Sequence, residues 1–101
     1  MRESQIEKHL VKRVKELGGE VRKVQWIGRR GAPDRLVMLP ERAGGDIYTF
    51  SQMPAQSLWV ELKAPGVKPE PHQLREHERM RKMGQRVVVI DSIEGVEELL
   101  Q

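Results

Sequence analysis

Residues 57–63, Ser-Leu-Trp-Val-Glu-Leu-Lys, alternate in a way that suits a strand with one buried face. Leu58, Val60 and Leu62 point one way, while Trp59, Glu61 and Lys63 point the other. Ala64-Pro65-Gly66 ends the strand. Such a strand is not stable alone, because its apolar face needs neighbouring strands and a covering layer. The rest of a 101-residue chain has to supply both, which leaves room for one domain spanning residues 1–101.

The covering layer and the partner strands are readable in turn. Residues 3–17 predict a helix, since Ile6, Leu10, Val14 and Leu17 recur at helical spacing and Gly18-Gly19 stops it. Residues 20–26 predict a strand that breaks at Gly28. Gly31-Ala32-Pro33 forces a loop, and residues 35–39 (Arg-Leu-Val-Met-Leu) form a second strand. Residues 40–56, with Gly44-Gly45-Asp46 and Pro54, are a long excursion with room for a short strand at 47–50. Pro71 suits the first turn of a helix that runs to about Met83 and ends at Gly84. Residues 86–90 are a short apolar run of the buried-strand type, and Ser92 as N-cap starts a last helix through Leu100. The expected order is αβββαβα, an α/β (α+β) domain with a small mixed sheet flanked by helices.

Composition excludes several classes. There is no cysteine, hence no disulfide scaffold, thiolate zinc site or cysteine nucleophile. No apolar run approaches the ~20 residues that cross a bilayer. Met1-Arg2-Glu3-Ser4 does not read as a secretion signal, so the expectation is a soluble cytoplasmic protein without a membrane partner. Charge is uneven. Residues 91–101 hold Asp91, Glu94, Glu97 and Glu98 and no base, so residues 1–90 set all 18 Lys and Arg against eleven acids, a net of +7. Between positions 22 and 35, Arg22, Lys23, Arg29, Arg30 and Arg35 face only Asp34. This suits a polyanionic partner, and it equally suits a well-solvated surface.

Some acids stand where acids are expensive. On a helical wheel with Ile6 at 0°, Leu10, Val14 and Leu17 fall at about 40°, 80° and 20°, with Glu3 at about 60° and Glu7 at about 100°. An acid in the first turn is stabilised by the helix dipole, which explains Glu3 without function. Glu7 lies a turn further in, and we favour it as the functional acid, with Glu3 as the alternative. Asp34 follows a Gly-x-Pro loop at the mouth of a strand, where a turn aspartate bonding its own backbone is the plain reading. Glu61 and Lys63 share the face opposite Leu58, Val60 and Leu62, a pairing common on exposed sheets. Gln73 lies within about 20° of Met80 on the sheet-facing side of its helix, either as a satisfied core amide or as a group that orients a ligand. His72 and His9 read as surface, and His77 as a hydrogen-bonded core histidine. Three scattered histidines make no zinc site.

Together, a helical Glu7, Gly31-x-Pro33-Asp34, Glu61-x-Lys63 and Gln73 resemble the PD-(D/E)xK nuclease motif. They resemble more closely the virus-type replication-repair nuclease (VRR-NUC) family. Residues 59–66 and 84–92 also look like its phage-borne single-domain members, and the resemblance covers nearly the whole chain. It implies a restriction-endonuclease-like αβββαβ core and metal-dependent hydrolysis of DNA phosphodiesters. Asp34 and Glu61 would be metal ligands, Glu7 a direct or water-mediated one, and the Leu62 carbonyl a backbone ligand. Lys63 would orient or deprotonate the attacking water, and Gln73 would brace the site.

An all-oxygen donor set suits Mg²⁺ or Mn²⁺, with no organic cofactor. Stand-alone members resemble Holliday-junction resolvases, which implies a homodimer acting on four-way or otherwise branched DNA. The basic stretch of Arg22, Lys23, Arg29, Arg30 and Arg35 would be the phosphate track. The 40–56 excursion departs from the pattern and reads as a DNA-contacting arm, a dimer contact or a plain loop. The rival readings are a non-catalytic DNA-binding module, a nicking or flap nuclease, and an interaction protein with a surface Glu61–Lys63 pair.

Overall fold

A computed structural model describes residues 1–44 and 51–101. Its elements are helix α1 (Glu3–Glu16), strands β1 (Glu20–Lys23), β2 (Arg35–Leu39), β3 (Arg42–Gly44), β4 (Ser51–Met53) and β5 (Gln56–Leu62), helix α2 (Pro71–Lys82), strand β6 (Val87–Ile90) and helix α3 (Ile93–Leu100). The main sheet runs β1-β2-β5-β6, with the first two pairings antiparallel and β5–β6 parallel. A parallel pair needs a crossover, and α2 supplies it. The mixed α+β architecture is the expected one.

One face of the sheet carries the core. Ile6, Leu10 and Val14 of α1 and Val96 and Leu100 of α3 pack on Val37, Leu39, Leu58, Val60, Leu62 and Ile90. The alternation of β5 survives intact on that face: Leu58, Val60 and Leu62 are all buried. Polar groups lock the two helices to each other. Glu97 of α3 accepts from His9 Nε2 at 2.7 Å and from Arg13 Nε at 2.9 Å. These bonds, Arg13 first and His9 second, hold the Glu97 carboxyl below its ordinary range. His9, read as solvent-facing, is therefore a helix-to-helix contact, and part of the acidic C-terminal stretch answers the bases of α1. Helix α2 covers the other face with Glu76, His77 and Met80. Ser92 caps α3 as expected, its hydroxyl accepting from the Gly95 N–H at 2.9 Å.

Two boundaries differ from the sequence reading. β1 stops at Lys23 instead of running to Trp26. The Val24 N–H still bonds the Asp34 carbonyl at 2.9 Å, and beyond that pair the partner chain is already in the Gly31-Ala32-Pro33 loop, which offers β1 no strand to pair with. In the 40–56 excursion, β3 and β4 form a separate two-stranded ribbon with Arg42 opposite Met53 and Gly44 opposite Ser51. Arg42 Nη2 ties the ribbon to the Leu100 carbonyl at 2.8 Å. The strand expected at 47–50 lies outside the described residues.

Candidate active site

The pairing of β2 with β5 places Arg35 opposite Val60 and Leu36 opposite Trp59. Continuing that antiparallel register by one residue sets Asp34, just before β2, against Glu61. Side chains alternate, so these two acids share the α2 face while Arg35 goes with Val60 to the α1 face. Two carboxylates 27 positions apart in sequence thus meet at one strand mouth.

Burial and charge mark this place. Glu61 is only 8% exposed, which is not the exposure of a surface ion pair. Its carboxyl is pushed up to about 7, chiefly by burial, further by the charges of Asp34 and Glu3, and against the pull of Lys63 and Arg35. Glu61 is therefore a carboxyl short of positive charge, with Lys63 as its strongest counterweight.

The helical acids divide. Glu7 Oε2 accepts from Arg35 Nη2 at 2.6 Å, and Arg35 Nη1 reaches Asp34 Oδ1 at 2.8 Å, so one guanidinium joins the two carboxylates. Glu7 is thus linked to Asp34 through Arg35, while Glu3 is the helical acid whose charge reaches Glu61. Arg35 itself is 8% exposed and spends both ends of its fork on these acids, which places it inside the site instead of along a surface track.

Helix α2 builds the other wall. Gln73 Oε1 accepts from the Glu70 N–H at 2.8 Å, closing the first turn of the helix. Gly31, with φ of +87°, lies so near that turn that a Cβ on it would stand 2.9 Å from the His72 carbonyl and 3.2 Å from the Gln73 Cα. The Gly31-Ala32-Pro33-Asp34 loop is thereby pressed onto α2 beside Gln73.

His77, one turn further along, is fully buried as expected of a core histidine, but neither ring nitrogen has a hydrogen-bond partner among the described residues. Its Nε2 stands 3.5 Å from Glu61 Oε1. Burial, then the charges of Arg81 and Lys63, hold it below its ordinary pKa and so neutral. The sequence contained a sign of this: His77 follows Gln73 by four residues, on the same helical face.

The basic stretch separates as well. Arg22 pairs with Glu20, and Arg29 Nε reaches the buried Glu76 at 3.4 Å. Lys23 and Arg29 line a cleft that also contains Asp34. Arg30 is exposed and forms no ion pair among the described residues. The buried Glu76, with Arg79 Nε at 3.0 Å, was not anticipated, because nothing in sequence spacing links position 76 to position 29.

The donor chemistry fits a hard divalent cation. Asp34, Glu61 and the Leu62 carbonyl offer only oxygen. Among the described residues no three His, Asp or Glu side chains gather closely enough to hold an ion by themselves, so backbone and water oxygens would complete any shell.

No family model matches the chain. It is 47% identical over 92 residues to "Putative nuclease p44" of Acyrthosiphon pisum secondary endosymbiont phage 1, a match covering 91% of this chain and 85% of that protein. Among solved structures it superposes on a VRR_NUC domain with a TM-score of 0.77 and 41% identity, covering 97% of this chain and 92% of the other. With agreement in sequence and in fold over nearly its full length, the chain belongs to the VRR-NUC family.

Proposed function

We propose that the protein is a divalent-metal-dependent DNA endonuclease, acting as a homodimer on branched DNA, with four-way junctions as the preferred substrate. The observation that carries this reading is the strand register that sets Asp34 against a buried, charge-starved Glu61 beside Lys63. The nuclease name of the phage relative and the VRR_NUC title of the solved domain support it.

Asp34, Glu61 and the Leu62 carbonyl would hold Mg²⁺ or Mn²⁺, with a helical acid completing the set through water. When bound, such a cation lowers the pKa of water and offsets the charge that builds on the phosphate. Lys63 supplies an ammonium that binds a phosphate oxygen or orients the attacking water. Arg35 fixes the angle of Asp34, and Gln73 braces the first turn of α2 against the loop that carries it. Glu7 acts through Arg35, which makes Glu3 the helical acid nearest in charge to Glu61.

Labelled four-way junctions incubated with protein and Mn²⁺ test the proposal. Cleavage is expected with wild type and absent in Asp34→Ala and Lys63→Ala variants that retain their far-UV spectrum. Mutants that cut as well as wild type would overturn it. Glu3→Gln is expected to slow cleavage more than Glu7→Gln if charge near Glu61 is what matters, and the reverse order would restore Glu7 to the direct role. The resolvase assignment requires paired, symmetric cuts; single nicks or removal of flaps would replace it with another nuclease activity.

A further inference from the structure

A cleft of about 540 Å³ opens beside Asp34, lined among others by Lys23, Gln25, Trp26, Arg29 and Ala32. Its size is that of a site for one small ligand, not for a duplex. Trp26 lines it as a fixed aromatic surface. The indole Nε1 donates to the Pro33 carbonyl at 2.8 Å, and the ring leans on Trp59 with centroids 5.1 Å apart and planes at 49°. Held on two sides and still 36% exposed, the ring loses little freedom when something stacks on it. Arg29 is also anchored, through the buried Glu76 that Arg79 holds in turn. In the adjoining loop Ile27 is 95% exposed, an apolar side chain two residues before the Arg29-Arg30 pair.

We propose that this cleft receives a single unstacked nucleotide of the DNA, its base on Trp26 and its phosphates on Lys23 and Arg29, with Ile27 filling the gap left in the stack. A paired base hides both faces against its neighbours, so only an extruded, flapped or branch-point base can reach the indole. An apolar wedge next to basic side chains is what holds a base step open. The cleft would therefore select DNA with an interrupted stack and deliver the adjacent phosphate to Asp34. This rests on the nuclease reading of Asp34 and extends it to substrate choice.

The chain has two tryptophans, so Trp59→Phe leaves Trp26 as its only indole. This variant is titrated with a blunt duplex and with the same duplex carrying a single-stranded flap, in Ca²⁺ and in EDTA. Trp26 emission should be quenched by the flapped DNA and not by the blunt one. In a parallel binding assay, Trp26→Leu should lose roughly tenfold in affinity for the flap while binding blunt duplex as before, the scale expected of one lost base–aromatic stack. Trp26→Phe should retain most of the preference, and Lys23→Ala, which removes a phosphate contact of the nucleotide in the cleft, should weaken the flapped DNA more than the blunt one. Bound flap with unchanged emission, equal quenching by both DNAs, or a Trp26→Leu loss equal on both would overturn the proposal. Failure of the wild type to bind any DNA in either buffer would instead overturn the nuclease reading, and this one with it.

Discussion

Glu61 is the residue on which pH should act. Its folded value, about 7, lies above the ordinary 4.5, so the native state holds the proton more tightly than the unfolded chain. Below about pH 4.5 the side chain therefore costs nothing. Stability declines as pH rises through the window up to about 7, and above it the whole cost of about 3 kcal/mol is present. Glu61→Gln should stabilise the metal-free protein by about 2 kcal/mol at pH 8 and change little at pH 4, as read by urea denaturation at both values. A flat pH response in the wild type would contradict this. His77→Leu, which replaces two unpartnered nitrogens at similar volume, should raise stability by about 1 kcal/mol. A clear loss in the denaturation midpoint would mean that the ring has a partner in solution. Candidate acids were legible one by one from helical position and strand alternation. Their meeting was not, because register is fixed by pairing and not by spacing. Arg35 was misleading for the same reason: its partner Glu7 is 28 positions away, so a buried staple reads in sequence as one more surface base.

At the scale of elements, the contact between the Gly31 loop and α2 holds the site in shape. Gly31→Ala would force a left-handed backbone and a collision with the His72 carbonyl, costing about 2–3 kcal/mol and shifting Asp34 enough to reduce cleavage by an order of magnitude or more. Gly28 also has positive φ, at 74°, but nothing lies within 4 Å of where its Cβ would be, so Gly28→Ala should cost about 1 kcal/mol and leave cleavage nearly intact. Thermal melts and turnover of the two variants side by side check the contrast. Helices and inner strands were legible because apolar period and punctuation agree: Gly18-Gly19 after α1, Pro71 at the head of α2, Ser92 before α3. The end of β1 is set where the chain opposite it leaves the sheet for the Gly31-Ala32-Pro33 loop, and the β3–β4 ribbon by pairing within an excursion of little apolar pattern. Neither leaves a periodic trace.

Over the whole molecule, charge is arranged and not merely in excess. Glu97 is taken up by α1, while Lys23 and Arg29 line the cleft with Asp34 as its one acid among the described residues. Binding to DNA should weaken steeply with salt, and removal of Lys23 or Arg30 should each flatten the log–log slope by about 0.9, one phosphate contact apiece. Arg35→Ala should leave that slope alone, because its guanidinium is already engaged. Filter binding between 50 and 200 mM salt, roughly the range over which such slopes are read, separates the two cases. The Arg35 bridge has one more consequence. The guanidinium joins Glu7 to Asp34 by itself and offsets the repulsion between the two carboxylates. For the cation proposed at this site the same guanidinium would be a rival, and occupancy should accordingly be loose and quickly exchanged, rising and falling with the surrounding supply.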